Sequence, residues 1–115
     1  MAVVIYHNPR CSKSRETLAL LNDKGVKPKV IEYLKTPPTA AELKRLLKKL
    51  RMSPRELMRK KEDVYAKLRL GNAGLSDDAL IKAMVANPVL IERPIVVNGS
   101  KAALGRPPEA VASIL

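Results

Sequence analysis

The sequence predicts an α/β chain: a single domain over residues 1–115, with a helical insertion of about 39–87 between the second and third strands. Three observations predict it. A strand–helix–strand pattern runs from Val3 to Tyr33. Amphipathic helical patterns with two N-terminal capping signatures fill the middle. Asn98-Gly99 then stands between two apolar runs, a strong short-range signal for a β-hairpin.

The elements follow in order. Val3 to Tyr6 reads as a short buried strand. Ser14 to Lys24 reads as a helix with Leu18 and Leu21 on one face, closed by Gly25, which tolerates positive φ. Lys29 to Tyr33 is a second strand centred on Val30 and Ile31, and a strand, helix and strand of this length make a βαβ unit with parallel strands. Thr36-Pro37-Pro38 breaks the pattern. Thr39 and Glu42 form a capping-box signature ahead of Leu43, Leu46, Leu47 and Leu50, with Lys44, Arg45, Lys48 and Lys49 on the wet face. Ser53-Pro54-Arg55-Glu56 is a second such box with proline at the first helical position, and it predicts a helix running through Met58 into Arg59-Lys60-Lys61. Ser76-Asp77-Asp78 opens a helix with Leu80, Ile81, Met84 and Val85 on its apolar face, ended by Asn87-Pro88. Ile95 to Val97 and Lys101 to Leu104 form the hairpin strands, and Gly105-Arg106-Pro107-Pro108 turns into a last short helix.

Composition narrows the function. The formal net charge is +11, which asks for an anionic partner, either a small oxyanion or nucleic acid. Three tyrosines with no Phe or Trp leave few platforms for stacking bases, and no nucleic-acid motif is present, so nucleic acid is not the expected partner. One cysteine and one histidine cannot supply the four ligands of a structural zinc, so no metal is expected, and no Gly-rich phosphate loop occurs. No apolar run is long enough to span a bilayer, no signal peptide is visible, and a lone cysteine makes no internal disulfide. A cytoplasmic protein without membrane contact is expected, and a monomer.

That cysteine is the most informative residue. Cys11 sits between the first strand and the first helix, in His7-Asn8-Pro9-Arg10-Cys11-Ser12-Lys13-Ser14-Arg15. Free backbone N–H groups and the dipole at a helix N-terminus favour an anion, and the thiolate is the reactive form of cysteine. Polar flanks favour this reading over a small buried hydrophobe. His7 has two readings, a packing residue at the strand end or a residue that tunes the thiol. Ser14 likewise is a first-turn helix residue or a tuner. The motif is C-x-x-S, so Ser14 cannot resolve a disulfide, and any redox cycle must recruit an outside thiol. A C-x5-R phosphate-binding loop is excluded, because Thr17 occupies its arginine position.

Without the central helices the order is β-α-β-β-β with a closing helix, the thioredoxin-like arrangement. A thiol opening the first helix suits that scaffold. So does Arg93-Pro94 before the third strand, where Pro94 is the candidate for a cis-proline facing the thiol.

Four stretches carry a resemblance to a known family: His7-Asn8-Pro9-x-Cys11-x-x-Ser14-Arg15, Leu57-Met58-Arg59-Lys60, Glu92-Arg93-Pro94-Ile95-Val96-Val97 and Gly105-Arg106-Pro107-Pro108. In order and spacing the chain resembles the glutaredoxin-linked arsenate reductases, and its Pro9-to-Glu16 run looks like an arsenate-reductase-like subgroup. The resemblance implies Cys11 as nucleophile, Arg59, Arg93 and Arg106 as oxyanion ligands, and His7 and Ser14 as residues favouring the thiolate. It also implies no bound cofactor, glutathione as co-substrate and glutaredoxin as partner. The chemistry is coherent. Arginine presents planar paired donors and keeps its charge, so several can clamp a tetrahedral oxyanion and offset the repulsion between it and an attacking thiolate. Alternatives are another oxyanion or thiol substrate for the same machinery, or a redox-linked transcription regulator that binds RNA polymerase through the basic helical block.

Overall fold

The strands are short and apolar where the sheet is covered. In a computed structural model that describes residues 2–115, β1 (Val3–His7) turns Ile5 and His7 inward. It pairs in parallel with β2 (Lys29–Glu32), Ile5 lying opposite Val30. On its other side it pairs antiparallel with β3 (Ile95–Asn98), Ile5 lying opposite Val96. β4 (Lys101–Leu104) pairs antiparallel with β3 across a turn in which Gly99 has φ of +63°. The sheet order is therefore β2-β1-β3-β4, a thioredoxin-like arrangement. β2 is an edge strand, and Val30, expected at a strand centre, is 44% exposed.

The contacts divide the chain into two compact units. The first comprises residues 1–36 and 93–115 and contains the sheet and α1 (Ser12–Asp23). The helix buries Ser14, Thr17 and Leu21, a stripe at helical spacing that carries two hydroxyls. Ile5, Leu21, Val96 and Val111 form the fully buried core, with Val3, Leu18, Val26 and Ala103 around them. Gly25 ends α1 with φ of +76°. The last segment, Pro108–Ile114, is 3₁₀ and packs on α1 and β4. Its Ala110 N–H closes onto the Pro107 carbonyl, an i→i+3 bond that suits so short a run.

The second unit, residues 37–92, is helical, and the segment expected at about 39–87 falls within it. In α2 (Ala40–Leu50) the Thr39 hydroxyl accepts the Glu42 N–H at 3.1 Å and donates to the Glu42 carboxylate at 3.2 Å. Leu43, Leu46 and Leu47 are buried, while Lys44, Arg45 and Lys48 are exposed. α3 (Pro54–Leu57) carries the complete capping box between Ser53 and Glu56. The helix expected to continue through Met58 stops at Leu57. The backbone there pairs with a distant segment instead: Met58 bridges Ile91, Arg59 N–H donates to the Leu90 carbonyl at 2.7 Å, and Glu92 N–H to the Leu57 carbonyl at 2.9 Å. Arg59 consequently lies outside any helix. A further short helix, α4 (Asp63–Lys67), has no buried residue and hence no apolar stripe to announce it. α5 (Asp77–Ala86) is capped by Ser76 and buries Leu80, Ile81 and Met84; it packs against α2, α3 and the 3₁₀ turn Pro88–Leu90. Among the described residues no helix is long and apolar enough to cross a membrane.

Candidate active site

A tight turn joins β1 to α1 and delivers the cysteine. The Asn8 side-chain oxygen accepts the Arg10 N–H, and the Asn8 carbonyl accepts the Cys11 N–H, both at 3.0 Å. Arg15 reaches back from the first turn of α1 and donates to the Pro9 carbonyl at 2.9 Å. Cys11 thereby becomes the N-cap of α1, its backbone extended and its own carbonyl accepting the Arg15 N–H at 3.0 Å. The side chain is half-buried and makes no capping hydrogen bond. As a thiol it is a weak acceptor; as a thiolate it meets the field of the helix end.

Burial pushes the Cys11 thiol up. The Ser14 backbone N–H, the Arg93 guanidinium and the Lys13 backbone N–H outweigh that burial and hold the thiol below its ordinary range. His7 is buried, and its Nδ1 lies 2.6 Å from the Ser14 hydroxyl, which also accepts the Asn8 N–H at 3.0 Å. Burial, together with Arg15, lowers the His7 pKa against the opposing pull of Glu32, which favours the neutral imidazole. His7 and Ser14 thus lock the turn to the helix. Ser14 bears on the sulfur through its backbone N–H.

Arg93 enters from the start of β3 through a peptide bond to Pro94 that is cis; the Arg106–Pro107 bond is cis as well. Two guanidinium nitrogens of Arg93, Nε and Nη1, are buried with no hydrogen-bond partner among the described residues. Arg106, exposed, donates to the Arg93 carbonyl at 3.4 Å. The first unit therefore brings Arg93 beside Cys11, with His7 and Ser14 close in the same turn, and sets Arg106 against the Arg93 backbone. Beneath them Gly105 packs against Thr17 and Pro94: a Cβ at Gly105 would collide with Thr17 Oγ1 and lie 2.7 Å from Pro94 Cγ. A cleft of about 220 Å³ flanks the same turn, lined in part by His7, Pro9, Arg10, Glu32 and Lys35.

Arg59 lies in the second unit, and there it is engaged. It donates to Glu62 at 3.2 Å and to Glu92 at 2.8 Å. Among the described residues no group of three or more His, Cys, Asp or Glu side chains could hold a metal ion. Sequence reasoning missed four contributors: Asn8, Arg15, Glu62 and Glu92. Glu62, three residues from Arg59, and Asn8, two residues from Arg10, had local signals.

Comparison with known proteins finds close relatives over nearly the whole chain. The ArsC family model matches residues 6–114. An arsenate reductase of Haemophilus influenzae is 52% identical over 116 residues, covering 100% of both chains. A protein of Escherichia coli K12 described as uncharacterised, YfgD, is 62% identical over 98% of this chain and 96% of its own length. The solved structure of an arsenate reductase from Vibrio cholerae superposes with a TM-score of 0.98 at 59% identity, covering 100% of this chain and 98% of that one.

Proposed function

Because this chain belongs to the ArsC family of arsenate reductases, we propose that it reduces arsenate to arsenite through Cys11, with glutathione and glutaredoxin as external reductants. The observation that carries this reading is the Arg93 guanidinium. It stands beside a thiol held below its ordinary range and has two buried nitrogens left to serve an anion.

The Cys11 thiolate attacks arsenic, and one arsenate oxygen leaves as water after taking a proton. The product is a covalent S–As(V) adduct. Arg93 and Arg106 offset the charge as sulfur and oxyanion approach, and Arg59 is assigned the same work on the resemblance alone. A glutathione thiolate then attacks the Cys11 sulfur. The S–As bond breaks with its electron pair going to arsenic, which leaves as arsenite, and Cys11 and glutathione are joined in a mixed disulfide. Glutaredoxin attacks the glutathione sulfur and returns Cys11 as a thiolate. Arsenic gains two electrons and two thiols lose them. Because Ser14 supplies no second thiol, both reducing sulfurs beyond Cys11 come from outside. Dependence on external thiols fits the reducing cytoplasm.

Arsenite release with glutathione and glutaredoxin present is the test, run on the natural chain and on Cys11→Ser. The substitution is expected to abolish release, and omission of glutaredoxin to stop the reaction after the first turnover. Equal release by both chains would exclude the mechanism.

A further inference from the structure

Arg59 is held by two carboxylates from different parts of the second unit. Nε donates to Glu62 Oε2 at 3.2 Å and Nη1 to Glu92 Oε1 at 2.8 Å. The three side chains are mostly buried, with 21%, 26% and 21% exposure for Arg59, Glu62 and Glu92. The backbones are tied in the same place. The bonds from Arg59 N–H to Leu90 and from Glu92 N–H to Leu57 flank the Met58–Ile91 bridge. Burial would lower the Arg59 pKa, but Glu62 and Glu92 raise it, so the charge is secure.

Two carboxylates leave this trio with a formal negative charge. An arginine needed only to attract anions would be weakened by such neighbours. What the pair does supply is orientation. A guanidinium has five N–H donors in a rigid fork, and here Glu62 and Glu92 occupy the Nε and Nη1 positions, fixing where the remaining donors point. We infer that Glu92, together with Glu62, is a positioning residue for oxyanion binding, aiming the Arg59 guanidinium through the 2.8 Å and 3.2 Å bonds described above. This rests on the assignment of Arg59 as an oxyanion ligand.

The test measures the arsenate concentration that half-protects Cys11 from alkylation by iodoacetamide, which needs neither reductant. Thermal melting of each variant runs alongside. Glu92→Ala is expected to raise that concentration about tenfold, the scale of one lost charge-assisted hydrogen bond. Glu92→Gln, which keeps an acceptor oxygen, should recover most of the loss, each variant's protection being read relative to its own alkylation rate without arsenate. If Glu92→Ala does not fold, Glu92→Gln and Glu62→Gln carry the test, each with a smaller loss. Unchanged or tighter protection in the folded Glu92 variants overturns the inference, tighter protection meaning that the carboxylate competes with the oxyanion. Arg59→Ala separates the two failures. If it loses protection while the Glu92 variants do not, positioning alone fails. If Arg59→Ala is protected like the natural chain, or the natural chain is not protected at all, the underlying assignment fails and this inference with it.

Discussion

The Ser14 hydroxyl lies 2.6 Å from His7 Nδ1, and both side chains are buried. A neutral imidazole that accepts at Nδ1 carries its proton on Nε2, and the same hydroxyl accepts the Asn8 N–H at 3.0 Å. One serine oxygen therefore ties the end of β1, the turn and the first turn of α1 together, three residues along the chain from Cys11.

Ser14→Ala removes that tie and leaves a buried imidazole nitrogen and a buried amide without their partner. The expected cost is about 1–3 kcal/mol. Urea unfolding should show a lower midpoint with an unchanged slope. A stability equal to that of the natural chain would mean that the hydroxyl is replaceable by solvent.

Cys11 alkylation should follow a pH profile shifted to the acid side of an ordinary thiol, because the Ser14 and Lys13 backbone N–H groups and Arg93 outweigh the effect of burial. Arg93→Gln should move the midpoint toward alkaline pH. The stability consequence has a definite sign. Between the lowered folded value and the ordinary unfolded one, the native chain binds fewer protons than the unfolded chain. The contribution of Cys11 is therefore fully present above the unfolded value and is lost as pH falls through the folded one. Comparing urea midpoints of the natural chain and Cys11→Ser across that window reads it directly.

Gly105→Ala should be destabilising. The new methyl would collide with Thr17 Oγ1 and lie 2.7 Å from Pro94 Cγ, and neither a buried helix residue nor a proline ring at a strand start has room to give. Overpacking of this kind costs about 1–3 kcal/mol. A melting curve reads it, and an unshifted midpoint would show that β4 can move away from α1.

Arg55→Ala should loosen the loop after α4. Arg55 donates to the Tyr65 hydroxyl at 3.2 Å, the Leu70 carbonyl at 2.8 Å and the Asn72 carbonyl at 3.0 Å, and α4 contributes no buried residue of its own. Charge-assisted bonds to carbonyls are worth about 1.5–3 kcal/mol each before exposure is discounted. Hydrogen exchange should speed up across residues 63–72 while the amides of α2 keep their protection.

Local chemistry made most of this fold legible. The Asn98-Gly99 turn, the Ser53–Glu56 box, the Ser76 cap and the apolar stripes of α2 and α5 each lie within a few residues of the element they define. The reading went astray where a distant segment intervened. Helix α3 ends at Leu57 because Met58 pairs with Ile91, a partner no local pattern reveals. The same reason hid Glu92 from Arg59, 33 residues away. At the site, the position of Cys11 at the N-cap followed from the change of periodicity around it. The buried guanidinium of Arg93 beside that sulfur needed the folded chain.

Ser14 stands where a dithiol enzyme would keep its second sulfur, and its oxygen is already committed inside the protein. The chain therefore has no internal store for an electron pair. On the mechanism proposed above, each oxidation of Cys11 would persist until an external thiol meets it, so the steady-state rate should track the encounter frequency of that reductant, and the oxidised form should accumulate whenever the supply runs short. A protein cycling in this way would report the thiol status of its surroundings as a by-product of that cycle.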